Sequence, residues 1–176
     1  MALEDQIRER FPSIDEISDP ELQEKVVDVW VDAIENSDFD SPDDIPWSKD
    51  AATEGEGKGQ HTHDVTELAI TLTDKVLELR DVEVDRDTVI AGALLHDASK
   101  AYELSGMEQW LPHPYYGIHM AAKAGLSPHI QHIILSHTPK TAVVPGTIEA
   151  QIIQKADLVG VQALYKEKTG DIIDIE

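Results

Sequence analysis

From residue 61 onward, apolar residues recur every three or four positions almost without a break, the spacing of helices that bury one face. Val65, Leu68, Ala69, Leu72, Val76 and Leu79 predict one such helix over 61–80. A second starts at a capping Asp85 and carries Val89, Ile90, Ala93 and Leu94 toward Lys100. A third spans 113–124 and stops at Gly125, a residue suited to the left-handed turn after a helix. Ser127 and Pro128 open a fourth, which reaches His137, and the last runs over 147–168 ahead of Gly170.

Upstream, residues 3–11 predict a short helix that ends before Pro12. Asp19 followed by Pro20 is a helix start, a capping side chain and then a proline with no N–H to lose. The helix that follows, to Asn36, sets Leu22, Val26, Val29, Val31, Ala33 and Ile34 along its apolar stripe. Residues 37–60 carry two prolines, three glycines and many acids, and read as a loop. Loops of that length are uncommon in compact domains, so it reads either as a lid over a site or as a plain linker. No segment alternates strictly between apolar and polar positions, so the expected class is all-α.

At 176 residues the chain suits a single core, with an N-terminal helical extension and acidic loop (1–57) preceding the main helical domain (58–176). No apolar run approaches the ~20 residues that span a bilayer. The N-terminus lacks a basic and then apolar leader, so a cytoplasmic protein with no membrane partner is expected. Acids outnumber bases 35 to 14, for a net charge of -21. They are spread along the whole chain, which favours a solvated acidic surface over an acidic tail for a cationic partner. Such surfaces suit concentrated salt, and a halophilic source is the expectation. Duplex nucleic acid is excluded as a partner, because it requires clustered Lys and Arg.

The absence of cysteine removes disulfides, thiolate metal sites and a cysteine nucleophile. Nitrogen and oxygen donors remain, and several face inward. His61 lies one turn before Val65; His96 follows Ala93 by three; Asp97 follows Leu94 by three; Asp157 follows Ile153 by four. Burial without partners is costly for each. One inward His is ordinarily a core residue with a hydrogen bond. Four inward imidazoles and carboxylates from separate helices are better explained by a shared divalent cation. His137 also points inward, after Ile133 and Ile134, whereas His129 and His132 fall on the other face with Ser136. His63 lies off the stripe of His61, and His119 has no clear case as a ligand.

The segments GQHTHDVTELA, AGALLHDASK and QKADLVG resemble the HD-domain superfamily of metal-dependent phosphohydrolases over residues 58–165. The resemblance implies an HD-domain-like helical bundle and a metal held by His61, His96, Asp97 and Asp157. HPYYG at 113–117 and SHTP at 136–139 are similar to segments that hold a second metal in some members. That similarity implies His113 and His137 as further ligands, with Asp97 bridging. The interval from His96 to His113 is shorter than in many such members.

The resemblance implies a phosphohydrolase acting on a small phosphate ester or anhydride, with a nucleotide as the expected substrate. One or two ions of Mn, Fe, Co, Ni or Zn suit this donor mix better than Mg. A cation there lowers the pKa of water toward 7, generating a hydroxide nucleophile. Asp97 and Lys100 are the expected catalytic residues, Lys100 as a phosphate contact or else as a simple ion-pair partner. Two rivals remain open: a di-iron oxygenase on the same scaffold, and a non-catalytic module that binds metal or nucleotide.

Overall fold

In a computed structural model the chain is all-α, with residues 1–49, 53–107 and 109–173 described. The order is α1 (Leu3–Arg10), a 3-10 turn (Pro12–Glu16), α2 (Pro20–Glu35), α3 (Lys58–Leu79), α4 (Arg86–Leu95), the one-turn α5 (Lys100–Tyr102), α6 (His113–Lys123), α7 (Pro128–Ser136) and α8 (Ile148–Thr169). No described helix is long and apolar enough to cross a membrane.

Short polar side chains start four of these helices by accepting otherwise unpaired N–H groups of the first turn. Asp19 accepts from Glu21 at 2.9 Å, Asp85 from Thr88 at 3.2 Å, Ser127 from Ile130 at 3.3 Å and Thr147 from Ala150 at 3.2 Å. The N-terminal segment then joins the main core. Phe11 and Trp30 pack with Ile90, Leu94, Met120 and Ile134, all buried. A second cluster forms where α3, α4, α7 and α8 meet, around Val65, Val89, Ile133 and Ile153. Gly92 sits at that crossing. A Cβ there would lie 2.9 Å from both Ile133 and Ile153, so the missing side chain lets α4 approach α7 and α8 closely.

Several expectations are corrected. Only part of the stripe predicted for α3 is its buried face: Val65 and Ala69 are buried, but Leu72 and Leu79 are 39% and 64% exposed, while Thr62, Thr66 and Thr73 are buried. Threonine is tolerated inside because its hydroxyl bonds the preceding turn, Thr66 to Thr62 O at 2.7 Å and Thr73 to Ala69 O at 2.8 Å. α2 buries Trp30 completely, the largest side chain in the core and one the apolar stripe omitted.

α4 stops at Leu95 rather than reaching Lys100. Tighter bonds take over beyond it, Ala98 N–H to Leu95 O and Lys100 N–H to Asp97 O, so the His-Asp doublet occupies a turn. The 37–60 stretch also enters the structure. Ile45 is buried, Pro46 and Gly57 form an isolated bridge, and α3 begins three residues before His61. Positions 50–52 of that expected loop lie outside the described residues. On α7, Ser136 is buried, and His129 and His132 are half-buried.

Asp87 ties the start of α2 to α4, accepting from Ser18 N–H, the Ser18 hydroxyl and Asp19 N–H. Burial pushes its carboxyl up, but these donors and Arg86 outweigh that and leave it below the ordinary value. A depressed folded-state pKa stabilises above the ordinary carboxylate range, and the gain vanishes as pH falls through the folded value. Asp87→Asn is therefore expected to cost about 2 kcal/mol at pH 7. Urea denaturation of both proteins should show that difference shrinking toward pH 3; a constant difference would contradict it.

Candidate metal centre

Five parts of the chain deliver the six ligand candidates. His61 comes from the first turn of α3, and His96 and Asp97 from the turn after α4. His113 opens α6, His137 follows α7, and Asp157 lies in the middle of α8. All are buried except Asp157, which is partly so. They fall into two triads, His61–His96–Asp157 and Asp97–His113–His137, with the ligand atoms of each lying within 4.8 Å of one another.

The two oxygens of Asp97 look in different directions. Oδ2 is 3.7 Å from His61 Nε2 and 3.8 Å from His96 Nε2. Oδ1 is 3.0 Å from His113 Nε2 and 3.5 Å from His137 Nε2. One carboxylate thus joins both groups. Within the first, His61 Nε2 lies 3.1 Å from Asp157 Oδ1. In the second, His113 and His137 Nε2 are 3.3 Å apart.

The far side of three rings is held by acceptors: His96 Nδ1 by Ala93 O and His137 Nδ1 by Ile134 O, both at 2.7 Å, and His113 Nδ1 by Glu103 Oε2 at 2.8 Å. When Nδ1 donates its proton outward, Nε2 keeps a lone pair facing the centre, the arrangement of metal-ligating histidines. His96 Nε2 is wholly buried and has no hydrogen-bond partner. Such an orphan is costly unless something else fills its lone pair. The donor set therefore fits a divalent cation.

Electrostatics agrees. Burial, reinforced by Lys58, lowers the His61 pKa, and burial likewise lowers that of His96, so both rings are neutral at neutral pH. Burial pushes the Asp97 carboxyl up, but Lys58 and the facing imidazoles hold it well below the usual range. Asp157 is likewise raised by burial, yet its bond to His61 brings it down to about 2. Neutral imidazoles and ionised carboxylates are the forms that bind metal.

Residues beyond the sequence-derived set complete the centre. Lys58 is buried, with Nζ 2.5 Å from Asp97 Oδ2 and over the Trp47 ring at 5.2 Å. Glu103 is a hub: Oε2 takes His113 N–H at 2.9 Å as well as the ring, while Oε1 takes Lys100 at 3.2 Å and Lys140 at 3.0 Å. Lys100 thus pairs with Glu103 at the rim, and burial pulls it down to about 8, leaving it charged at neutral pH. Among the other histidines, His119 is exposed and His63 half-buried, away from both triads.

Sequence offered little to mark Glu103, since its partners come from three separate segments. Removing it as Glu103→Ala should free the His113 ring and weaken metal binding by about 10–100-fold, the usual loss for such supporting carboxylates. Competition against a chromogenic chelator checks this, and unchanged affinity would contradict it.

Comparison with known proteins follows the same stretch. The HD domain family model matches residues 59–160. The chain is 33% identical over 108 residues to dihydroneopterin 2',3'-cyclic phosphate phosphodiesterase of Methanocaldococcus jannaschii, covering 56% of this chain and 43% of that protein. It is 35% identical over 81 residues to ribonuclease Y of Desulforudis audaxviator, covering 45% of this chain and 14% of that one. The matched stretches thus span less than half the length of either relative. No solved structure matches. With the helical bundle, the His-Asp doublet and a family match over more than half its length, this chain belongs to the HD domain family.

Proposed function

We propose that the chain is a metal-dependent phosphohydrolase that cleaves a small phosphate ester or anhydride, with a nucleotide-like molecule as substrate. The observation that carries this reading is Asp97, whose two oxygens each face a separate imidazole-bearing triad. His61, His96, Asp157 and Asp97 Oδ2 would hold one cation, and His113, His137 and Asp97 Oδ1 a second. Manganese, iron, cobalt, nickel and zinc suit these ligands. Divalent cations so held acidify water and offset charge on a phosphoryl oxygen.

The chain's own side chains provide the rest. Glu103 holds His113 in the tautomer that presents Nε2 inward. Lys58, Lys100 and Lys140, three of only 14 basic residues, gather around Asp97 and Glu103. In a chain of net charge -21 these lysines offset the carboxylates of Asp97, Glu103 and Asp157, and any bound cation then makes the centre suited to an anionic phosphate. In the reaction water adds to phosphorus, the bond from phosphorus to the leaving oxygen breaks, and that oxygen takes up a proton. Lys100 and Lys140 are the side chains placed to contact phosphate oxygens. Both relatives are named for phosphodiester substrates, one a cyclic phosphate and the other RNA, so cyclic and linear nucleotide esters head the panel to be tested.

Incubation of chelator-treated protein with that panel, before and after adding each metal, tests the proposal. Phosphate or phosphomonoester should appear only after metal is restored. Stoichiometric metal with no ester cleaved, or oxygen consumption by the iron form, would overturn it.

A further inference from the structure

Lys58 differs from the other two lysines of the centre in what it touches. Its Nζ lies 2.5 Å from Asp97 Oδ2, the oxygen that also faces His61 and His96 at 3.7 and 3.8 Å. The side chain is only 4% exposed, so solvent and salt screen the pair little. Asp97 Oδ1 faces His113 and His137 instead, while Lys100 and Lys140 pair with Glu103. The two halves of the centre are therefore electrically unequal, with a fixed positive charge against one of them.

That charge is set in place by a segment ahead of the family match, which starts at residue 59. Lys58 opens α3, and the stretches 42–47 and 53–57 fasten its backbone. Lys58 N–H donates to Ile45 O at 2.8 Å, Gly59 N–H to Pro42 O at 3.0 Å and Trp47 N–H to Glu56 O at 2.8 Å. Arg10 of α1 donates to Asp43 Oδ1 at 2.8 Å and so ties down the same strap. A Cβ at Gly57 would lie 2.5 Å from Asp43 O, so this close approach requires glycine. Trp47 then lays its ring against the Lys58 ammonium and edge-on to His61, with ring centroids 5.9 Å apart. The ion pair and the aromatic face together hold the ammonium on Oδ2.

We infer that Lys58 is a built-in competitor for metal, which makes the His61–His96–Asp157 half the weaker of the two cation sites. A divalent cation that reaches Oδ2 has to share this oxygen with the ammonium or push it aside. Sharing sets like charges side by side in a buried place, and displacement breaks a buried ion pair. The Asp97–His113–His137 half bears neither cost. The inference rests on the two-cation reading and adds an order of loading, imposed by the strap that precedes the family domain.

The test is titration of chelator-treated full chain with cobalt(II), followed by calorimetry and visible absorption. Two binding steps should appear, at least about tenfold apart in affinity. His113→Ala should remove the tighter step and Asp157→Asn the weaker. Lys58→Met should strengthen the weaker step at least about tenfold and leave the tighter one unchanged, whereas Lys58→Arg keeps the steps apart. Lys58→Gln gives the same reading if the methionine variant loses its helical circular dichroism. Equal steps in the parent, the opposite assignment of the steps, or a weaker step unmoved by loss of the ammonium overturns the inference and leaves the hydrolase reading intact. Absence of any cobalt binding overturns both. Two steps that respond as stated, in a protein that cleaves no ester, uphold the inference while the hydrolase reading fails.

Discussion

Replacing Asp97 by asparagine is expected to abolish hydrolysis while leaving the helices in place. The carboxylate reaches both triads, its Oδ1 within one and its Oδ2 facing the His61 and His96 rings of the other. An amide of the same shape keeps one acceptor oxygen but carries no charge, so it cannot join two cations. It also strands Lys58, whose buried ammonium pairs with Oδ2. Metal assistance contributes several kcal/mol, and at 1.36 kcal/mol per decade a loss of ~4 kcal/mol slows turnover on the order of 10³-fold. Phosphate release should fall by that amount while the far-ultraviolet circular dichroism is preserved. Turnover within about tenfold of the parent would show that Asp97 does not join the two halves.

Trp30→Ala should be the most destabilising single change. The indole is completely buried, lies 5.0 Å from the Phe11 ring and donates to Leu94 O at 3.0 Å. Leu94 is in the last turn of α4, two residues before His96, where carbonyls lack helical partners. Trp30 thus braces the end of the helix that presents the doublet, from a segment outside the family match. Truncation of a buried aromatic costs about 3–5 kcal/mol, a large part of the 5–15 kcal/mol of a typical domain. Trp30→Phe keeps most of the packing and leaves only Leu94 O unpaired, at about 1–3 kcal/mol. Urea midpoints of the two variants should fall in that order. An unchanged midpoint for the alanine variant would contradict the account.

The helices were readable because their starts are written in adjacent residues, Asp19 with Pro20 and Ser127 with Pro128. Phase was less readable. Thr66 and Thr73 of α3 look polar in sequence but are buried, since each of these two hydroxyls finds a carbonyl one turn back. Nor does periodicity show that α4 gives way to a turn at His96, because the apolar lead-in continues to Leu95. For the centre, inward direction is a local property, and His61, His96, Asp97, His137 and Asp157 each carry it in their spacing from neighbouring apolar residues. His113 came only from similarity to other proteins, because it opens its helix and has no preceding helical turn to set its face. Glu103, Lys58 and Lys140 carried no such mark. They meet their partners through tertiary packing, and in an acidic chain one more Glu stands out least of all.

The most direct test is elemental analysis of purified full chain after exposure to excess manganese or iron and removal of free metal. The account predicts about two divalent ions per chain, and close to none when His96 and Asp97 are both replaced by alanine. A doubly substituted protein that retains the parent's full metal content would contradict it.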